Sequence, residues 1–99
     1  MFYAIWAQDA SQSLEKRAAT RPRHLEYIQK LIDDGRVLLA GPLPAIDSPD
    51  PGPAGMSGSL IVAEFDSLKS AEQWAASDPY SLEGVFKTVV VKPFLRVHP

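Results

Sequence analysis

The sequence predicts one α+β domain over residues 1–99, a ferredoxin-like β-α-β-β-α-β sandwich. Three observations carry this expectation. Four short runs rich in aromatic and β-branched residues alternate with two helical patterns in that order. The chain has 99 residues, enough for one core and not for two. With 45% hydrophobic and 22% charged residues, it has the composition of a globular protein and not of a disordered or membrane-spanning one.

Phe2 to Ala7 reads as the first strand. No basic flank precedes it and no small-residue cleavage pattern follows at Gln8-Asp9, so a signal peptide is not expected. Ser11 to Arg21 is polar, with a short helical turn around Leu14–Arg17 capped by Ser11 or Ser13. Pro22 suits the first turn of a helix. From there Leu25, Ile28, Leu31 and Ile32 recur at helical spacing, Arg23, Glu26, Gln29, Lys30 and Asp33 fall opposite, and Gly35 stops the helix. Val37 to Ala40 forms a second strand closed by Gly41-Pro42. Residues 42–58 hold five of the nine prolines and three of the six glycines. They are predicted to be an irregular, mobile connection bordering a pocket. Ser59 to Phe65 is the third strand. Asp66 or Ser67 caps a second helix with Leu68, Ala71, Trp74 and Ala75 on one face, ended by Pro79. Phe86 to Val91 is the fourth strand, with Pro93 to Pro99 a tail expected to extend it.

The strands are apolar on both sides: Phe2, Ala4 and Trp6 alternate with Tyr3, Ile5 and Ala7, and the third and fourth strands repeat the pattern. Two helices cover one face. A second copy of the sheet is the simplest cover for the other, which predicts a two-fold symmetric homodimer.

Several function classes are excluded at this level. Ten lysines and arginines against twelve acidic residues give a net charge of −2 with no basic run, so nucleic acid is not an expected partner. No apolar stretch is long enough to span a bilayer, so no membrane association is expected and a cytoplasmic location is. The chain has no cysteine, and its two histidines, His24 and His98, lie far apart, so no metal site is expected. No phosphate-binding glycine loop and no nucleophile elbow occur.

His24 projects near Ile28 and Leu31, at what reads as a helix N-terminus, where the macrodipole favours a neutral, proton-accepting imidazole. It is either a proton-transfer residue or a half-buried histidine bonded to a backbone carbonyl. Asp78 falls in the last turn of the second helix, where the dipole opposes a carboxylate; it is either a site residue or a turn former before Pro79. Arg17 and Arg21 lead towards His24 and suit a carboxylate clamp, or solvate the surface, as Arg23 and Arg36 do. Gly41-Pro42 lets a ligand approach the backbone or simply turns the chain. Trp6, Trp74 and the tyrosines fall at core spacing.

The segments Tyr3–Asp9, Ser13–Arg17, Arg21-Pro22-Arg23-His24-Leu25, Gly35–Pro42, Ala63-Glu64-Phe65, Asp78-Pro79-Tyr80 and Val91-Lys92-Pro93-Phe94 resemble the YciI-like (YCII-related) family, in order and over essentially the whole chain. The resemblance implies a dimeric α+β barrel, similar in fold to muconolactone isomerases and small monooxygenases. It implies an active-site pair at His24 and Asp78, and lyase or dehydrochlorinase chemistry on small unsaturated acids. Together with the residues, it leads to the expectation of a small enzyme with no metal or organic cofactor. Its His24 would act as general base or acid, oriented by Asp78. Arg17 or Arg21 would hold the carboxylate of a small-molecule acid, Ser59 and Tyr80 would donate hydrogen bonds, and Gly41 and Pro42 would line the site. A non-catalytic dimeric binding module and an oxygen-using monooxygenase remain alternatives.

Overall fold

In the computed structural model, which describes residues 1–99, the four strands are β1 (Phe2–Asp9), β2 (Val37–Pro44), β3 (Met56–Glu64) and β4 (Phe86–Phe94). They form one sheet in the order β2-β3-β1-β4, and every neighbouring pair is antiparallel. The helices are α1 (Leu14–Asp33), α2 (Leu68–Ala76) and the one-turn α3 (Pro79–Leu82). This is the ferredoxin-like α+β arrangement. Tyr3, Ile5, Ile61 and Ala63 on one sheet face pack with Ile28 and Leu31 of α1 and Ala71 and Ala75 of α2. Ser67 is the α2 cap, its hydroxyl accepting from the Ser70 N–H at 3.0 Å.

Three sequence expectations are corrected. The first helix does not start at Pro22: α1 runs unbroken through it from Leu14. Its buried stripe, Arg17, Thr20, His24, Ile28 and Leu31, keeps helical spacing throughout, but its first half is polar and hides the periodicity. Pro22 lacks an N–H for the Ala18 carbonyl, which is tolerable because Ala18 is exposed. The connection between β2 and β3 is also shorter than 42–58, because β2 extends to Pro44 and β3 begins at Met56. Pro42 and Pro44 sit on an edge strand, where a missing N–H costs least. The third correction concerns Trp6, which is not core within the chain. It is 60% exposed on the sheet face away from the helices, with Leu39, Val90 and Phe94 also exposed.

β3 approaches the end of its ladder partner β1 closely at Gly58, where a Cβ would fall on the Ala7 carbonyl oxygen. Glycine is required there by close approach and not by φ. Gly58→Ala is expected to lower stability by about 1–3 kcal/mol, as overpacking does. Urea denaturation checks this; wild-type stability would mean that the approach is looser than it is here.

Candidate active site

Asp78 and His24 lie 54 positions apart in sequence and meet in the fold. His24 Nδ1 is 2.9 Å from Asp78 Oδ1 and 3.0 Å from Oδ2, and the Asp78 side chain is 1% exposed. A carboxylate only accepts, so this contact assigns a ring proton to Nδ1, and in the neutral imidazole the lone pair is then on Nε2. The expected reason for a neutral imidazole does not hold, since His24 is in mid-helix and not at an N-terminus. Its tautomer comes from Asp78 instead. Asp78 also differs from expectation. It caps the N-terminus of α3, its Oδ1 accepting from the Tyr80 N–H at 2.9 Å, so the local dipole favours the carboxylate. The capping role and the histidine contact coexist on one side chain.

The Tyr80 ring stacks on His24 with centroids 4.1 Å apart, and the Arg17 guanidinium lies 4.6 Å from the Tyr80 centroid. A register shift between β1 and β4 leaves Lys87 without an opposite residue and turns Phe86 to the helix side. There Phe86 meets Tyr80 edge-on at 5.4 Å. Burial raises the Tyr80 hydroxyl pKa above its ordinary value; Arg17 and Arg21 oppose the rise and Asp78 adds to it, so the hydroxyl is a donor at neutral pH. Nearby, Tyr27 donates to the Trp74 carbonyl at 2.8 Å and stacks on the Trp74 ring, tying α1 to α2. Its phenol is pushed up to about 12, by burial first and then by the charge of Asp78, against a lowering contribution from Ser77.

Arg17 is 8% exposed. Its Nε donates to Asp9 Oδ2 at 2.8 Å, and its Nη2 donates to the Gly58 carbonyl at 2.8 Å and to Ser59 Oγ at 2.7 Å. Nη1 has no protein acceptor and is not occluded. Because Ser59 Oγ already accepts from Arg17, its own hydrogen is free to be donated.

A cavity of about 260 Å³ opens between α1 and the β2–β3 side of the sheet, just below the size range of small-molecule sites. Arg17, Arg21, His24, Gly41, Pro42, Ser59 and Tyr80 all border it, while Asp78 stands behind His24. Arg21 is exposed at the rim. Arg23 pairs loosely with Glu83 at 3.6 Å, and Arg36 binds the Glu64 carbonyl, so neither belongs to the site. The connection after β2 does not cover His24: Pro53–Ser57 instead border a separate polar depression of about 410 Å³ beyond Arg17. No three His, Cys, Asp or Glu side chains converge as metal ligands.

The YCII-related domain model matches residues 1–95. The chain belongs to the YCII-related family. It is 56% identical over 97 residues to Protein YciI of Escherichia coli O6:H1, covering 98% of this chain and 99% of that protein. It is 48% identical to an uncharacterized protein of Haemophilus influenzae over the same shares. Among solved structures it is similar to the 5-chloro-2-hydroxyhydroquinone dehydrochlorinase TftG of Burkholderia phenoliruptrix in complex with 2,5-dihydroxybenzoquinone. The TM-score is 0.83 at 26% identity, over 96% of this chain and 94% of that one.

Asp9 was not legible as a site residue of this YCII-related chain, although it stands at the end of the first strand's alternation. Its side chain is 3% exposed and paired with that of Arg17, itself 10% exposed. Removing one partner of a buried pair leaves the other charge uncompensated. Asp9→Asn is therefore expected to cost about 3 kcal/mol, readable by denaturant titration. An unchanged midpoint would show that Gly58 and Ser59 suffice to hold Arg17.

Proposed function

We propose that this YCII-related protein is a proton-transfer enzyme of the lyase or isomerase type, acting on a small organic acid in the cavity beside His24. The observation that carries this reading is the contact at Nδ1: both oxygens of a buried carboxylate lie within 3.0 Å of it, which in the neutral imidazole leaves Nε2 as the basic nitrogen of a cavity-lining histidine. Nε2 takes a proton from an acidic C–H or O–H of the substrate. Asp78 stabilises the imidazolium so formed and keeps the ring oriented. The oxyanion that develops is met by Arg17, the Ser59 hydroxyl and the Tyr80 hydroxyl. The imidazolium then returns its proton to another atom of the substrate, giving an isomer. Alternatively, the electron pair expels an anion from the neighbouring carbon, giving an elimination. The dehydrochlorinase similar to this chain, with its dihydroxyquinone ligand, supports the second course.

Incubating the protein in D2O with small acids, 2,5-dihydroxybenzoquinone among them, and following carbon-bound proton loss by NMR tests this reading. Exchange is expected with at least one of them. His24→Ala should slow it by about 10²–10⁴-fold, the usual worth of a general base. Asp78→Asn should also slow it, and the double variant should be little worse than His24→Ala, because the pair acts as a unit. Binding without exchange would make the protein a binding module, and oxygen consumption would make it a monooxygenase.

The working form in this reading is a homodimer closed through the outer sheet face. Trp6 at 60%, Leu39 at 48% and Val90 at 43% exposure form an apolar surface on a sheet whose other side is covered. Light scattering at micromolar concentration is expected to give twice the 10.8 kDa chain mass. Trp6→Glu should shift it towards monomer; a monomeric wild type would remove this part of the proposal.

A further inference from the structure

The cavity is not uniform along its length. Arg17, Arg21, His24, Ile28 and Ile32 all border it and are spaced by four, three, four and four residues, one continuous face of α1. At 1.5 Å per residue this face runs about 22 Å from Arg17 to Ile32, with His24 near its middle. The opposing wall changes character in the same direction. Pro42 pairs with Ser59 and Ala40 pairs with Ile61 on the inner side of the sheet. Ser59 is bonded to Arg17, so Ile61 and Ala40 lie one strand repeat, about 7 Å, towards the Ile28 and Ile32 end. One end therefore offers guanidinium and hydroxyl donors. The other offers only aliphatic side chains.

Two apolar side chains at the cavity are poorly placed for stability alone. Leu25 is 42% exposed and Ile32 is 46% exposed, yet both border the cavity beside the buried Ile28. Burying their apolar surface is worth roughly 25 cal/mol per Å², and the chain leaves it uncovered at the mouth of a site. A ligand with an apolar end would cover it.

We infer that the substrate is an amphipathic acid. Its acidic oxygens lie at Arg17, Arg21 and Ser59, its reacting atom lies at His24 Nε2, and an aliphatic or aryl substituent lies along Ile28, Ile32 and Ile61. The orientation rests on the proposed acid-binding role of the arginine end. The apolar subsite selects against compact acids that carry nothing beyond the reacting centre, so Ile32 is a specificity-determining residue.

Calorimetric titration with acetate, butanoate, hexanoate and octanoate tests both ends at once. In the wild type each added methylene is expected to tighten binding about fourfold, the equivalent of ~0.8 kcal/mol per buried CH₂, until the subsite is full. Ile32→Ser should flatten this slope. Ile32 is nearly half exposed, and a melting curve checks that the variant folds. Arg17→Lys and Arg21→Ala should weaken all chain lengths by a common factor. An affinity independent of chain length in the wild type, or a slope untouched by Ile32→Ser, overturns the apolar subsite while the acid end stands. A slope retained with no effect of either arginine variant overturns the acid end, and with it the proposed orientation. No binding of any member overturns both.

Discussion

A guanidinium keeps its charge when buried between a helix and a sheet, so nearly all its donors must be met, and that requirement organises this fold around Arg17. Its side chain joins α1 to the end of β1 through Asp9, to β3 through Gly58 and Ser59, and to α3 through the Tyr80 ring. The close approach of β3 to β1 falls at the same place, since the Gly58 carbonyl accepts from Arg17 and Gly58 is the residue with no room for a Cβ. Because polar groups fill the space where α1 faces this end of the sheet, aliphatic packing does not close it. The unfilled remainder is the cavity.

The second tie is made by Asp78, and its economy explains the short helix α3. Capping α3 fixes the carboxylate with respect to the Tyr80 N–H, and the same oxygen then meets His24 on α1. Tyr80 follows two residues later and lies flat on the imidazole it helps to position. Phe86 closes the stack from β4, reached only because the register slips at Lys87. A chain without that slip would turn Phe86 to the outer face and leave Tyr80 without this support. Orientation of the imidazole is thus a property of α1, α3 and β4 together, and not of a single hydrogen bond.

Much of the fold was legible because its signals are periodic. The alternation in Phe2–Ala7 and in Ser59–Phe65, and the Ser67 cap, all stand in the structure. Failures arose where burial is polar. Arg17 and Thr20 continue the buried stripe of α1 but read as surface residues, so the helix was expected to begin eight residues late, at Pro22. That error also placed His24 at a helix end. In the sequence Asp78 opposes a dipole, because a cap for one turn of helix looks, in one dimension, like the tail of the helix before it. The residues of the cavity were nonetheless all named, apart from its aliphatic end. Leu25, Ile28 and Ile32 match a core stripe so well that nothing in the sequence separates lining from core.

The sheet has two apolar surfaces, one lining the cavity and one exposed, and β3 carries both. Ser59 and Ile61 face the cavity, while Leu60, between them, pairs with Trp6 on the outer face. Because successive strand residues point to opposite sides, a change in packing on the outer face reaches the cavity through one peptide unit. Trp6 lies on β1, between β3 and β4, opposite Leu60 and Val90. The cavity itself is nonetheless built from the residues of a single chain, with Ser59 and Ile61 of β3 on its wall.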